Sequence, residues 1–176
     1  MTPSSEFATL YQQLILDHAG AGEGQGDPTG FEPQSHQVNP TCGDEITLGV
    51  RLAATLGEPS STEGASVAHS GATDSGIEDL RIEELRWDGH GCAISQASAS
   101  LLTGLVEGST VGQARELISR FREVLRSRGT LELDEERFGD AVALNGVSRY
   151  VARVKCAMLA WVALEDALAK ASVAAP

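Results

Sequence analysis

The chain is poor in aromatic side chains, poor in cysteine and short of positive charge. Each shortage narrows what the protein can be. Aromatic residues make up 5% of the 176 positions, and its two tryptophans, Trp87 and Trp161, are read as core residues. Thirteen basic against 25 acidic residues leave a formal charge of −12 at pH 7. A chain of that sign repels a phosphate backbone, which argues against nucleic acid as a partner. The longest apolar run, Cys156 to Leu164, falls well short of the roughly 20 residues a membrane-spanning helix needs. The opening Thr2–Glu6 is polar, with neither a basic region nor a hydrophobic signal core, so no membrane association and a cytoplasmic location are expected. Neither a nucleophile-elbow glycine pattern nor a phosphate-binding loop is present.

Three cysteines are few, and they are an odd number. In a cytoplasmic chain this disfavours structural disulfides and favours metal ligation or thiol chemistry, with burial as small hydrophobes the alternative for each. Charge is also unevenly spread. Residues 1–110 hold three of the 13 basic and 16 of the 25 acidic side chains, and the basic residues gather in the C-terminal third, where they could serve a protein partner.

What is present suits one domain over residues 1–176, with 41% hydrophobic content. Phe7, Leu10, Tyr11, Leu14 and Ile15 have the spacing of an amphipathic helix over 5–19. Glycines and prolines between 20 and 33 predict irregular structure up to about residue 37, which leaves His36 in a loop. Ile46, Leu48, Val50 and Leu52 alternate on one face of a strand over 44–56. Residues 57–76 are small and polar, too apolar-poor to offset their ordering entropy, and are read as a flexible surface insertion that includes His69. Residues 77–87 suit a strand antiparallel to 44–56, with Leu80, Ile82 and Glu84 facing away from Arg81, Glu83 and Leu85. Helices are predicted from Cys92 to near Gly108, from a Thr110 cap to Arg128, and from about Ser148 to Ala171, with a helical turn in 131–138. The expected fold class is α+β, a small antiparallel sheet of about three strands with helices packed mainly on one face.

Each cysteine has neighbours suited to exposing it or holding it as an anion. Cys42 lies in Asn39-Pro-Thr-Cys-Gly-Asp44, where Gly43 permits a tight turn that can aim Cys42 and Asp44 at one point. Cys92 follows Gly89-His-Gly91 and begins a helix, whose free N–H groups and dipole favour thiolate. Cys156 shares a helix face with Arg149 and Arg153, which are expected to lower its pKa. Separations of 50 and 64 residues match no zinc-finger rule, yet three cysteines and one aspartate would satisfy tetrahedral zinc. His90 is a reserve ligand.

The segments LYQQLILDH at 10–18, NPTCGD at 39–44, GHGCAISQASASLL at 89–102 and RVKCAMLAWVALEDAL at 153–168 occur in one order along nearly the whole chain. Together they resemble the IscU/NifU N-terminal superfamily of iron–sulfur cluster assembly proteins, most closely its SufU branch with a SufE/NifU-like fold. The resemblance implies that Cys42, Asp44, Cys92 and Cys156 bind Zn2+ and that Cys42 accepts persulfide. Arg153 would steady the migrating sulfur. It further implies a SufS-type cysteine desulfurase as partner, with downstream iron–sulfur assembly proteins as recipients. Cluster-scaffold members carry a histidine before the last cysteine, where this chain has Lys155, so a transient [2Fe-2S] cluster is the alternative cargo. Two stretches depart from the family pattern, AGAGEGQGDP at 19–28 and the insertion at 57–76.

Overall fold

The structure is a computed structural model that describes residues 3–54 and 75–174. Helix α1 (Pro3–Ala21) leads into strand β1 (Gln34–Asn39), and a tight turn joins β1 to strand β2 (Asp44–Ala53). A one-turn helix α2 (Ser75–Glu78) precedes strand β3 (Arg81–His90). Helices α3 (Ala93–Val106), α4 (Val111–Arg126) and α5 (Glu135–Phe138), a 3₁₀ segment (Gly139–Arg149) and helix α6 (Val151–Ala174) complete the order. The strands form one antiparallel sheet in the order β1-β2-β3. The α+β architecture expected from the sequence is the one observed. Most of the 57–76 insertion, His69 included, lies outside the described residues; its last two residues open α2.

β2 is a central strand because its apolar residues alternate. Ile46, Leu48 and Val50 all turn inward and are buried. β3 follows the same logic with one interruption. Arg51 pairs with Glu84 and Leu52 with Ile82, so Glu83 is an extra residue in a bulge. The bulge resets the alternation, and Ile82 and Leu85 are both fully buried instead of on opposite faces as expected. β1 was not predicted at all, since the irregular stretch was expected to reach residue 37. Its inward positions include Ser35 and Asn39, both buried and both polar, so no apolar alternation marks it. Helix α6 supplies what hydrophobic burial does not: Asp166 accepts hydrogen bonds from the Ser35 hydroxyl (2.7 Å) and from Lys170, whose ammonium also donates to the Gln34 carbonyl. His36 is therefore on a strand, bonded through Nδ1 to Thr47 across the pair.

The helices cover the sheet from one side. α6 packs across β1 and β2 and against α3 and α4. α3 is built from Ala and Ser along Ala97–Ser100, small enough for α6 and α1 to approach closely. Trp161 of α6 is the centre of the core. Its ring stacks on Phe121 of α4 at 3.9 Å and 9°, with Phe138 at 6.4 Å. Its indole N–H donates to Ser98 Oγ at 3.0 Å, and the Ser98 hydroxyl in turn donates to the Ala157 carbonyl. Burial of each such side chain contributes roughly 1.5–3 kcal/mol. α4 starts on a capping box, Thr110 with Gln113. Among the described residues no helix is long and apolar enough to cross a membrane.

Candidate metal centre at the sheet rim

Chain topology brings the three cysteines to one end of the sheet. Cys42 sits in the β1–β2 turn, where the Gly43 N–H returns to the Asn39 carbonyl at 2.9 Å and Gly43 takes φ 75°. That left-handed conformation is one an L side chain adopts only under strain. Asp44 opens β2 directly after the turn, opposite Asn39 in register. Cys92 is the N-cap of α3, and Cys156 lies in the second turn of α6.

Cys42 Sγ lies 3.1 Å from Cys156 Sγ and 3.4 Å from Asp44 Oδ2. The ligand atoms of Cys42, Asp44 and Cys156 all fall within 4.8 Å of one another. Cys92 borders this set rather than joining it: its Sγ is 3.7 Å from Asp44 Oδ2, and its backbone N–H donates to Asp44 Oδ1 at 3.1 Å. Asp44 is thus the hub of the site. Zinc–sulfur and zinc–oxygen bonds of about 2.3 and 2.0–2.2 Å place tetrahedral sulfur–oxygen edges near 3.6 Å and sulfur–sulfur edges near 3.8 Å. The two sulfur–oxygen contacts match those edges, and the Cys42–Cys156 pair is tighter by about 0.7 Å. A soft set of three sulfurs and one oxygen suits zinc, and thiolates also suit iron–sulfur clusters.

Two glycines make the site possible. A Cβ on Gly91 would lie 2.8 Å from Asp44 Cγ and would collide with Ser95 Oγ, and one on Gly89 would strike the Glu45–Ile46 backbone. The glycines around Cys92 therefore let β3 press against β2 and against the Asp44 carboxylate. Access is unequal. Cys42 and Cys92 are exposed, whereas Cys156 is buried.

The electrostatics correct one expectation. Burial pushes the Cys156 thiol well above the ordinary cysteine range, and its contacts with Cys42, Asp44 and Cys92 push the same way. Arg149 and Arg153 do not lower it. Arg149 lies against Gly129, and the Arg153 guanidinium stands over the Tyr150 ring at 5.4 Å, both beside a cavity of about 570 Å³ that Tyr11, Ile15 and Ile94 also line. The last helix starts at Val151 and not near Ser148, so Arg149 ends the 3₁₀ segment and shares no helix face with Cys156, and Arg153, which is on the helix, turns to Tyr150 and not to the sulfur. For Asp44, burial alone would raise the carboxyl, but hydrogen bonds from Cys156, the Cys92 backbone, Cys42 and Cys92 outweigh it and hold the group below its usual value.

His90 is exposed, its Nδ1 lies 3.3 Å from Glu45 Oε1, and it is not in the group formed by Cys42, Asp44 and Cys156. Two further residues belong here, Asn39, to which the sequence assigns no role, and Lys155, which the sequence marks only as the replacement for a histidine. Asn39 Nδ2 donates to Cys42 Sγ at 2.7 Å and to Cys156 Sγ at 3.6 Å. Lys155 Nζ donates to the Thr41 hydroxyl at 3.2 Å, tying α6 to the Cys42 turn. For Asn39 a signal was available: an asparagine two residues before an N–H bearing turn position commonly closes that turn with its own side chain.

Fold and site together define a small α+β protein with a cysteine-rich, metal-competent centre. The NifU-like N terminal domain family matches residues 75–157. The zinc-dependent sulfurtransferase SufU of Bacillus subtilis strain 168 is 31% identical over 97% of each chain. The iron–sulfur cluster assembly scaffold protein IscU of Thermotoga maritima is 30% identical over 94% of this chain and 97% of its own. Among solved structures, a protein from Fervidobacterium islandicum AW-1, assigned as an iron–sulfur cluster assembly scaffold for the SUF system, superposes with a TM-score of 0.66 at 26% identity, covering 91% of this chain and 97% of that one. The chain belongs to the SufU/IscU family of iron–sulfur cluster assembly proteins.

Proposed function

We propose that this protein is a zinc-dependent sulfurtransferase that takes persulfide sulfur from a SufS-type cysteine desulfurase for iron–sulfur cluster assembly in the cytoplasm, and that residues 1–176 form one SufU/IscU-like domain. The observation that carries the reading is the unequal exposure of two adjacent sulfurs: Cys42 on an exposed turn, 3.1 Å from a buried Cys156. An acceptor must be reached by a partner's persulfide, and a retained ligand need not be. Cys42, Asp44, Cys92 and Cys156 would hold the zinc, which when bound keeps thiols ionised and guarded against oxidation.

The transfer is thiol exchange. The Cys42 thiolate bonds to the terminal sulfur of the desulfurase persulfide, the partner's S–S bond breaks, and the partner's cysteine leaves as thiolate, with no net oxidation. Arg153, exposed one turn before Cys156 and standing over the Tyr150 ring, is the cation we assign to steady the charge on the moving sulfur, a role for which it must swing off that ring. Mixing with a cysteine desulfurase and cysteine tests the reading by mass spectrometry. Cys42→Ala should abolish sulfur acceptance while the desulfurase still forms its own first persulfide, and Arg153→Ala should slow acceptance at unchanged zinc content. Acceptance persisting in Cys42→Ala refutes the role.

The second reading, a scaffold for a [2Fe-2S] cluster, is favoured by the same donor set and by the IscU relatives. Lys155 argues against it, because its ammonium is engaged by Thr41 and offers no lone pair to a metal. Protein purified without air separates the two: stoichiometric zinc and no colour supports transfer, and a brown iron–sulfur protein supports the scaffold.

A further inference from the structure

We infer that Asn39 is a positioning residue of this site, whose carboxamide holds the Cys42 and Cys156 sulfurs side by side while closing the turn that presents Cys42. The inference rests on the reading of Cys42 as sulfur acceptor. The orientation of the amide is not arbitrary. The backbone N–H of Thr41 needs an acceptor and finds Asn39 Oδ1 at 3.1 Å, so the nitrogen must point the other way, toward the sulfurs. That nitrogen lies against two sulfurs, Cys42 at 2.7 Å and Cys156 at 3.6 Å, which are close enough together to share one N–H. The side chain is 4% exposed, so water does not compete for these bonds.

The backbone of Asn39 is committed as well. Its carbonyl accepts the Gly43 N–H, and Pro40 has no N–H to offer. One residue at the end of β1 thus sets the turn with two oxygens and grips both sulfurs with one nitrogen. The two sulfurs lie 3.1 Å apart, and a single N–H donor lying against both holds them at that spacing. Asn39 also stays in place when Cys42 bonds to an incoming sulfur, because it is held by the turn and not by the thiol.

The turn-closing role and the sulfur-holding role are separable. Asn39→Asp keeps an oxygen for the Thr41 N–H and deletes the donor. Asn39→Ser does the same without added charge, since a serine hydroxyl can close the turn but is one bond too short to reach the sulfurs. Both variants are compared with wild type as full-length protein, loaded with cobalt(II) as a spectroscopic probe. The melting temperature should stay near wild type for Asn39→Ser. The sulfur-to-cobalt charge-transfer band should move to lower energy, since an N–H donor stabilises the sulfur lone pairs. In the zinc-loaded protein the rate of sulfur acceptance should fall about 10- to 100-fold, the effect of one hydrogen bond to a charged group. A band or a rate that stays at the wild-type value in Asn39→Ser, while Cys42→Ala still abolishes acceptance, overturns the role of Asn39. Acceptance that survives Cys42→Ala overturns the sulfurtransferase reading itself.

Discussion

Replacing Gly91 by alanine puts one methyl group where the structure has no room for it. The added Cβ would stand 2.8 Å from Asp44 Cγ and 2.9 Å from Oδ1, distances that real Cβ atoms essentially never show, and it would meet Ser95 Oγ as well. Ser95 can rotate, but Asp44 cannot easily yield: it is 3% exposed and begins a paired strand. The carboxylate must therefore shift by a few tenths of an ångström, which is enough to break its bond from the Cys92 N–H at 3.1 Å. A hydrogen bond to a charged group is worth about 1.5–3 kcal/mol, so zinc affinity should fall about 10- to 100-fold. Competition against a chromophoric chelator measures this directly, and a urea melt of the metal-free protein reports the accompanying loss of stability. Gly20→Ala is the control, because nothing lies within 4 Å of its Cβ and alanine in helix α1 should stabilise by up to about 1 kcal/mol. Gly91→Ala binding zinc within twofold of wild type would refute the close packing of β3 on the Asp44 carboxylate as the reason for glycine at this position.

Two further perturbations test the frame around the site. Ser98→Ala strands the indole N–H of Trp161 in a fully buried position and should cost about 1–3 kcal/mol in urea denaturation, with no change in metal content. The Asp166 carboxyl is held below its ordinary value by its hydrogen bonds with Lys170 and Ser35. A carboxyl depressed in the folded state adds stability above the unfolded value of 3.8, and that stability is lost as pH falls through the folded value. Amide exchange in β1 should therefore accelerate relative to β3 below about pH 4, and Asp166→Asn should flatten that difference; equal acid sensitivity of the two strands would count against the tether.

How much of this was legible in the sequence depended on whether a signal was local. Strand β2 and helix α4 announce themselves by period, with Ile46, Leu48 and Val50 two apart and Val111, Ala114, Leu117, Ile118, Phe121 and Leu125 on one helix face. The bulge at Glu83 has no local mark, because it arises from pairing with β2 and not from the residues of β3. β1 was invisible for a different reason. An edge strand whose buried positions are Ser35 and Asn39 is held by hydrogen bonds from α6, about 130 residues away in the chain, and no hydrophobic pattern can report that. The candidate ligands are legible through their neighbours, Gly43, which the left-handed backbone of the turn requires, and Gly91, which has no room for a side chain beside Asp44. The pKa of Cys156 went the wrong way because its burial, and the neighbours it meets there, are tertiary facts.

That hidden strand bears on chemistry as well as on fold. If β1 were secured by apolar side chains, its last inward position would hold a residue unable to donate to sulfur. A polar β1 costs hydrophobic stabilisation along Ser35 and Asn39, and the loss is offset on one side by Asp166 and Lys170 and on the other by the turn itself. The arrangement leaves a buried amide facing two sulfurs at the point where the chain must also present Cys42 to solvent. A strand that looks poor by propensity is therefore the strand the site requires. Restoring the pattern by Asn39→Val should give a better strand and a worse sulfur acceptor, since the substitution adds β-propensity while removing every side-chain hydrogen bond at that position.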